Sequence, residues 1–524
     1  MGLCSNLPSQ CSKAASREAI AMPTPETTCP ECGSRLQPLG GRTRAAGVER
    51  GPLIAGGVAL LAILGAIWLG WSLLHGGRPN VAQNAATTAA GAPVGGSYLR
   101  LSGSNTIGSQ LAPALVAAWL KSKGAVDIGA HQRVGADGKP TDETDVSATL
   151  DGQPIRVEVK AHGSATAFTD LAAGAADIGM ASRAVKGDEA ASLSKLGDMR
   201  GQASEHVLGL DGVAVIVPQS NAVPKLSRAD LARIFSGSAA NWSAFGGPNL
   251  QVHLYARDDK SGTYDTFKSL VLRDQALGPA KRFEDSAALE AAVAGDPGGV
   301  GFVGLPYVKS TRAVPIYDGT SAPLEPTRFS VKTENYPLSR RLFLYTPAAA
   351  SGPAADFTRF ALSAAGQAVV RDQHFVDLDL TQAAASPTPP ITSGDCRLSS
   401  RWTGDPNAYC DFKHGAEQLP TSFRFLTGSS QLDTRAVADL RRVLERMEQS
   451  PGKSIVLAGF ADSSGAYPAN CALSRARAAA VGAAFATLGI KPSQTLGFCN
   501  ELPVRDNSTL DGREQNRRVE IFLK

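Results

Sequence analysis

Charge of one sign is the first thing this 524-residue chain lacks. Its 52 basic and 48 acidic residues leave a formal charge of +4, so it presents no basic footprint for nucleic acid. Histidine is scarce, with seven scattered copies. No Ser/His/Asp constellation, nucleophile–base pair or two-metal carboxylate cluster stands out, which argues against a hydrolase or phosphatase. Internal repeats and heptads are absent, so neither a solenoid nor a coiled coil is indicated. Charged residues make up 19% of the chain, against 54 glycines and 32 prolines. That balance suits folded domains joined by soft connectors, and the length suits two or three of them.

Long hydrophobic runs are missing too, with one exception. Residues 53–74 carry no charge and are long enough to cross the roughly 30 Å core of a bilayer as a helix. Trp68 and Trp71 fall toward its outer end, where indole rings favour the interface. Lys13, Arg17, Arg35, Arg42, Arg44 and Arg50 precede it and only Arg78 follows closely. The positive-inside rule then keeps residues 1–50 in the cytoplasm and exports the rest. A cleaved signal peptide fits poorly, because the stretch is too long and begins too far from the N-terminus. No lipobox-like cysteine follows it.

The eight cysteines fall into two groups, four before this segment and four far after it. Cys29-Pro30-Glu31-Cys32-Gly33 is a knuckle-like turn whose two thiolates suit one tetrahedral zinc ion. A closed site needs four ligands, and the gap between Cys4 and Cys11 is not a knuckle spacing. A half-ribbon, zinc shared between two heads and a redox pair stay open. No cofactor is otherwise required. Cys396, Cys410, Cys471 and Cys499 lie on the exported side, where two disulfides are the simplest account. Three connectivities are open, and local pairing, Cys396 with Cys410 and Cys471 with Cys499, is the expectation.

Composition divides the chain into a cytoplasmic head (1–50), a membrane helix (53–74), a small-residue tether (76–97), a large α/β domain (98–383), a Pro/Thr/Ser linker (384–394) and a smaller α/β domain with a short leader (395–524). In the large domain, Val213–Val217 reads as a short strand ended by Pro218, and Leu226–Phe235 as a helix capped by Ser227. The region 124–159 reads as a hairpin-like elaboration.

Three Ser/Thr/Gly stretches open expected helices: Ser102-Gly103-Ser104-Asn105-Thr106, Gly163-Ser164-Ala165-Thr166 and Ser261-Gly262-Thr263. Arg257 stands four residues before Ser261. Helix starts offer unpaired N–H groups, hydroxyls add donors, and a guanidinium can hold two oxygens at once. Singly, each stretch is more often a helix cap; together they suit a tetrahedral oxyanion. Arg257-Asp258-Asp259-Lys260-Ser261-Gly262-Thr263 resembles the R-x-x-x-S-G-T motif of PstS-like phosphate-binding proteins of ABC transporters. The likeness extends over most of 98–383, including the run from Asp177 through Ser182-Arg183. It implies two α/β lobes closing on phosphate or a related oxyanion. The implied contacts are Thr106, Ile107 through its backbone, Ser164, Ser182, Arg257, Ser261, Gly262 and Thr263, and an ABC permease is the family's partner. The best-known members place Asp where Ser182 stands, so discrimination of phosphate from sulfate has no acceptor here.

In the last domain, Gly459-Phe460-Ala461-Asp462 precedes Asn470, Arg477 and the closing Asn516-Arg517-Arg518. This order resembles the OmpA-like peptidoglycan-binding domain, in which the equivalent acid and base hold the ammonium and carboxylate of diaminopimelate. The resemblance implies a wall site at Asp462, Asn470, Arg477, Asn516 and Arg517. The strand-like 455–460 delivers Asp462, and a helix over 473–488 displays Arg477. Leu440, Val443, Leu444 and Met447 make the apolar face of an earlier helix, with no polar residue on it. Together these readings give an inner-membrane, single-pass protein of a diderm bacterium, with most of the chain in the periplasm. It would bind an oxyanion and peptidoglycan and would not be an enzyme. The alternative is a wall-attached scaffold or sensor that binds another ligand or a protein.

Overall fold

The computed structural model describes residues 97–524 apart from 136, 137, 139, 260, 381–395 and 426–430, together with two short strands, Gly2–Cys4 and Leu36–Pro38. The chain divides into two compact units, Met1–Val94 and Gly95–Lys524. In the first, the two strands pair antiparallel with Cys4 opposite Leu36. The expected membrane helix 53–74, the zinc pair Cys29 and Cys32, the tether up to residue 96 and the linker 384–394 lie outside the described residues. Among the described residues, no helix is long and apolar enough to cross a membrane.

In the second unit the large domain opens with β1 (Leu99–Gly103), α1 (Asn105–Gly108) and α2 (Leu111–Ser122). Three antiparallel strands follow, β2 (Val126–Val134), β3 (Pro140–Leu150) and β4 (Gln153–Lys160), then α3 (Ser164–Ala172) and β5 (Ile178–Ala181). The region 124–159 is therefore more than an elaboration. β4 pairs parallel with β1, because Val157 and Val159 alternate into the core beneath α2.

β6 (Glu205–Pro218) is far longer than the expected 213–217, and its residues from Val207 to Pro218 are all buried. Next come α4 (Arg228–Phe235), β7 (His253–Arg257), α5 (Gly262–Phe267), β8 (Ala280–Phe283), α6 (Ser286–Ala294), β9 (Gly299–Gly304) and β10 (Thr311–Ala313). Ser227 caps α4 by accepting from the Asp230 N–H, with Asp230 returning to the Ser227 N–H, a complete capping box. α7 (Arg328–Lys332), β11 (Ser339–Tyr345), α8 (Gly352–Leu362) and α9 (Ala364–Asp372) complete the domain.

One mixed sheet of eleven strands results, in the order β8-β7-β9-β6-β11-β5-β1-β4-β3-β2, with β10 also on β6. β6 is its turning point. Residues 205–212 pair with β11, whereas Val213 to Ile216 pair with β9. The chain returns between the two halves through the turn 333–338 that leads into β11.

The last domain consists of α10 (Ala408–His414), β12 (Glu417–Arg424), α11 (Thr434–Glu448), β13 (Ile455–Gly459), α12 (Tyr467–Ala486), β14 (Gln494–Gly497), α13 (Leu510–Asn516) and β15 (Arg518–Leu523). Its sheet runs β12-β15-β13-β14. Disulfides join Cys396 to Cys410 and Cys471 to Cys499. α12 starts six residues before the expected 473, at Tyr467, with Pro468 in its first turn, where a missing N–H costs nothing.

The two domains share a buried, charged contact that the sequence does not announce. α11 does bury polar residues: Arg435 and Asp439 are each 1% exposed. The reason is a second neighbour, since this end of α11 meets the large domain. Arg435 donates to the Lys332 carbonyl at 2.7 Å and pairs with Glu334 at 3.2 Å. Arg424 donates to the Thr333 carbonyl at 3.1 Å, and Arg505 to the carbonyls of Glu334, Asn335 and Tyr336. Within the large domain, Arg341 grips both Glu334 oxygens and also reaches Asp433 at 2.8 Å. Thr434 donates to Glu205 at 2.6 Å.

Burial opposes ionisation of Glu334, yet the guanidinium groups of Arg341, Arg435 and Arg424 outweigh it and hold its carboxyl far below the usual range. Its backbone φ of 60° is left-handed, a conformation that surrounding contacts must fix in a non-glycine residue.

Candidate functional site

The oxyanion stretches follow the carboxyl ends of parallel strands, where α/β sheets hold ligands. β1 leads to Thr106, β4 to Ser164, β5 to Ser182 and β7 to Ser261. Backbone bonds bind these loops into one cluster: Gly163 N–H donates to Gly103 O at 2.8 Å, and Ser104 N–H to Met180 O at 2.7 Å. The Ser164 and Ser182 hydroxyls lie 3.0 Å apart, and the Ser182 N–H donates to Ser164 Oγ at 3.0 Å. Across from them, Thr106 donates to the Gly262 carbonyl at 3.4 Å. A Cβ on Gly262 would come within 2.6 Å of Thr106 Cα, so only glycine allows this approach. Ser261 caps α5 by accepting from the Tyr264 N–H at 3.4 Å, and Thr263 sits in the first turn of that helix. Ile107 is fully buried, its side chain in the core.

Two arginines are placed differently. Arg257 does not meet Ser261 or Thr106 in this arrangement. Its guanidinium donates to the carbonyls of Phe283 at 3.3 Å and Glu284 at 2.7 Å, and to Ser286. The guanidinium that does reach the facing loops is Arg340, which no sequence motif singled out. Its Nη2 donates to Thr106 Oγ1 at 2.5 Å and to Gly262 O at 2.9 Å. Nη1 lies 3.2 Å from Asp265, and Nε lies 3.5 Å from Asp211. Its side chain is only 8% exposed. The available signal was the pair Arg340-Arg341 at the head of an apolar strand: alternation sends one to each face. A cavity of about 320 Å3 borders Ser182, Arg183, Arg340, Arg341, Glu334 and Arg505.

At the second candidate site, Arg517 donates to Asp462 at 2.9 Å, and the Ser464 N–H donates to the other Asp462 oxygen at 2.7 Å. Burial works against ionisation, but these donors prevail and hold the Asp462 carboxyl below its ordinary range. Arg477 donates to the Phe460 carbonyl at 3.4 Å and stacks over Phe425, 5.6 Å from the ring centre. Burial and the nearby Arg517 push its pKa down, with Asp462 pulling the other way. Asn470 is 2% exposed, and its side-chain amide nitrogen has no hydrogen-bond partner among the described residues.

Asn516 is engaged with the backbone of a nearby loop. It accepts from the N–H groups of Val504 and Arg505 and donates to Arg505 O and Asn507, so it shapes the 504–507 loop. The Cys471–Cys499 bridge holds the floor of the site, because Cys499 O accepts from the Ala461 N–H at 2.7 Å, next to Asp462. No group of His, Cys, Asp or Glu among the described residues is arranged to hold a metal ion.

Comparison with known proteins adds the family context. Residues 143–365 match the model of the PBP superfamily domain, and residues 424–517 that of the OmpA family. Protein SphX of Synechococcus elongatus is 31% identical over 266 residues, covering 48% of this chain and 75% of that protein. The phosphate-binding protein PstS of Bacillus subtilis is 27% identical over 233 residues, covering 44% and 74% respectively. Among solved structures, an ABC-type phosphate transport receptor from Vibrio cholerae is 22% identical and covers 53% of this chain and 99% of its own, with a TM-score of 0.40.

Proposed function

The chain belongs to the PBP superfamily, as a relative of the PstS phosphate-binding proteins that also carries an OmpA-family domain, and we propose that it is an envelope protein binding phosphate or a similar oxyanion while holding peptidoglycan. The supporting observation is the convergence of Thr106, Ser164, Ser182, Gly262 and Arg340 on one strand-end cluster rich in donors. Hydroxyls, N–H groups and a guanidinium match the acceptor oxygens of a tetrahedral anion. Such groups are suited to holding an anion, and the reading is of a binding protein. A single-pass anchor over 53–74 would put both domains in the periplasm. At the wall site, Asp462, which Arg517 holds, and Arg477 suit the ammonium and carboxylate of a zwitterionic stem-peptide residue.

Calorimetry of the full chain with phosphate and with sulfate tests the first half. Phosphate binding that is strongly weakened by Arg340→Gln or Arg257→Ala would support the oxyanion site and show which guanidinium holds the ligand. Failure of the folded wild type to bind either anion would retire it. A second reading, a wall-attached sensor, is favoured by one observation: the OmpA-family domain sits against the strands that join the two halves of the large sheet.

A further inference from the structure

The contact between the domains falls on the return crossing between the halves of the large domain and on β6 and β11, the strands that lead into the crossings. Thr434 holds Glu205 at the start of β6. Arg424, Arg435 and Arg505 hold the backbone of the return turn at residues 332 to 336. Asp433 holds Arg341 on β11. In a domain whose halves move relative to one another, these crossings are the segments that must change dihedral angles.

From this contact, interactions lead without a break to both candidate sites. Toward the oxyanion site, Arg341 is followed backwards by Arg340, which binds Thr106 on one half and Gly262 on the other. Toward the wall, Arg424 is next to Phe425, the ring under Arg477. Arg505 has its N–H and carbonyl held by Asn516, whose neighbour Arg517 pairs with Asp462. The cavity bordering Arg340, Arg341, Glu334 and Arg505 leaves room for the guanidinium groups to rearrange.

We propose that the oxyanion site and the wall site are energetically coupled, with the return turn and β11 as the element that both ligands bias. An anion that draws Arg340 away from Gly262 O shifts β11. The same strand carries Arg341, so the Glu334 cluster and the arginines of the wall domain feel the change. Binding of a diaminopimelate-bearing wall fragment acts in the opposite direction, through Phe425 and the 504–507 loop. The coupling rests on the functional reading above.

The test measures phosphate affinity of the full chain by calorimetry, with and without a saturating soluble muropeptide. The expected result is a change of about fivefold or more, matched by an equal change in muropeptide affinity with and without phosphate, as linkage requires. In Glu334→Gln both ligands should still bind, and the factor should fall toward one. Hydrogen exchange supplies a second readout for either ligand alone: muropeptide should alter protection around residues 102–106 and 261–263, and phosphate around Arg424, Arg435 and Arg505. A wild type that binds both ligands with a factor of one, and unchanged exchange at the far site, overturns the coupling alone. A wild type that binds neither overturns the coupling and the functional reading together. If one ligand binds without altering exchange at the other site, the coupling is overturned and that ligand's own site stands.

Discussion

A single hydrogen at Gly262 sets how near the facing loops of the oxyanion cluster can come. A methyl group there would sit only 2.6 Å from Thr106 Cα, so Gly262→Ala must push the loops apart. Phosphate affinity should fall at least about tenfold in calorimetry, with the melting temperature little changed, because the loop moves at its own end. At the proposed wall site the group that carries the prediction is Asp462. Its pKa is depressed, so its contribution to stability is complete above the ordinary Asp range, about 4, and is lost only as pH falls through the lower folded value. Muropeptide affinity should therefore stay level between about pH 7 and about pH 5 as far as this group is concerned. Asp462→Asn should cost about 1.5–3 kcal/mol of that affinity, the usual worth of a charge-assisted hydrogen bond, read by titration calorimetry.

Elements differed in how openly the sequence declared them. The oxyanion loops were legible because a strand end, a hydroxyl and a helix start follow one another within a few residues, and all of that is local. α4 was legible for the same reason, through Ser227 and Asp230. β6 was not: Asp211-Gly212 interrupts its apolar pattern, and the strand continues because Asp211 accepts from Thr266 at 2.7 Å across the fold. Arg340, Glu334 and Arg435 were hidden more deeply. Their partners lie on elements distant in sequence, and an arginine in an amphipathic helix looks like any solvated one. Asp462 and Arg477 stand out in the sequence by their spacing, while the pairing of Asp462 with Arg517 and the part played by Asn516 in shaping a loop depend on contacts that only the folded chain makes. Among the elements, the start of α12 carries a clear expectation. Cys471 ties it to the Cys499 loop beside Asp462, so Cys471→Ser with Cys499→Ser should lower stability by about 2–5 kcal/mol, measured by denaturant unfolding, and weaken muropeptide binding alongside.

At the scale of the whole molecule, the domain contact couples stability to pH through Glu205. Burial raises its pKa, and the neighbouring Asp433 adds to the effect, while hydrogen bonds from Thr434 and Tyr345 and the charge of Arg341 partly offset it. A carboxyl with a raised folded value contributes stability that is complete below its unfolded pKa and is lost as pH rises through the folded one. Glu334, shifted the other way, gives a constant contribution over the same window. Scanning calorimetry from about pH 8 to about pH 5 should show a smaller acid-side gain for Glu205→Gln than for wild type. Removing one charge from the arginine cluster is costlier: Glu334→Ala should destabilise by about 3–5 kcal/mol, since several buried cations would lose their counter-charge.

Leu380, the last described residue before the linker, lies in the core of the OmpA-family domain, and Cys396 lies in the second apolar cluster of that same domain. Both ends of the connection at 381–395 are thus anchored on one body, whatever path lies between. Docking is then a unimolecular event, with an effective local concentration on the order of 1 mM for a short connection. An interface whose separate halves would bind with a dissociation constant of only about 10 μM would stay closed in about 99% of molecules. Severing the chain within 381–395 should therefore make the docked fraction depend on protein concentration, where in the intact chain it does not.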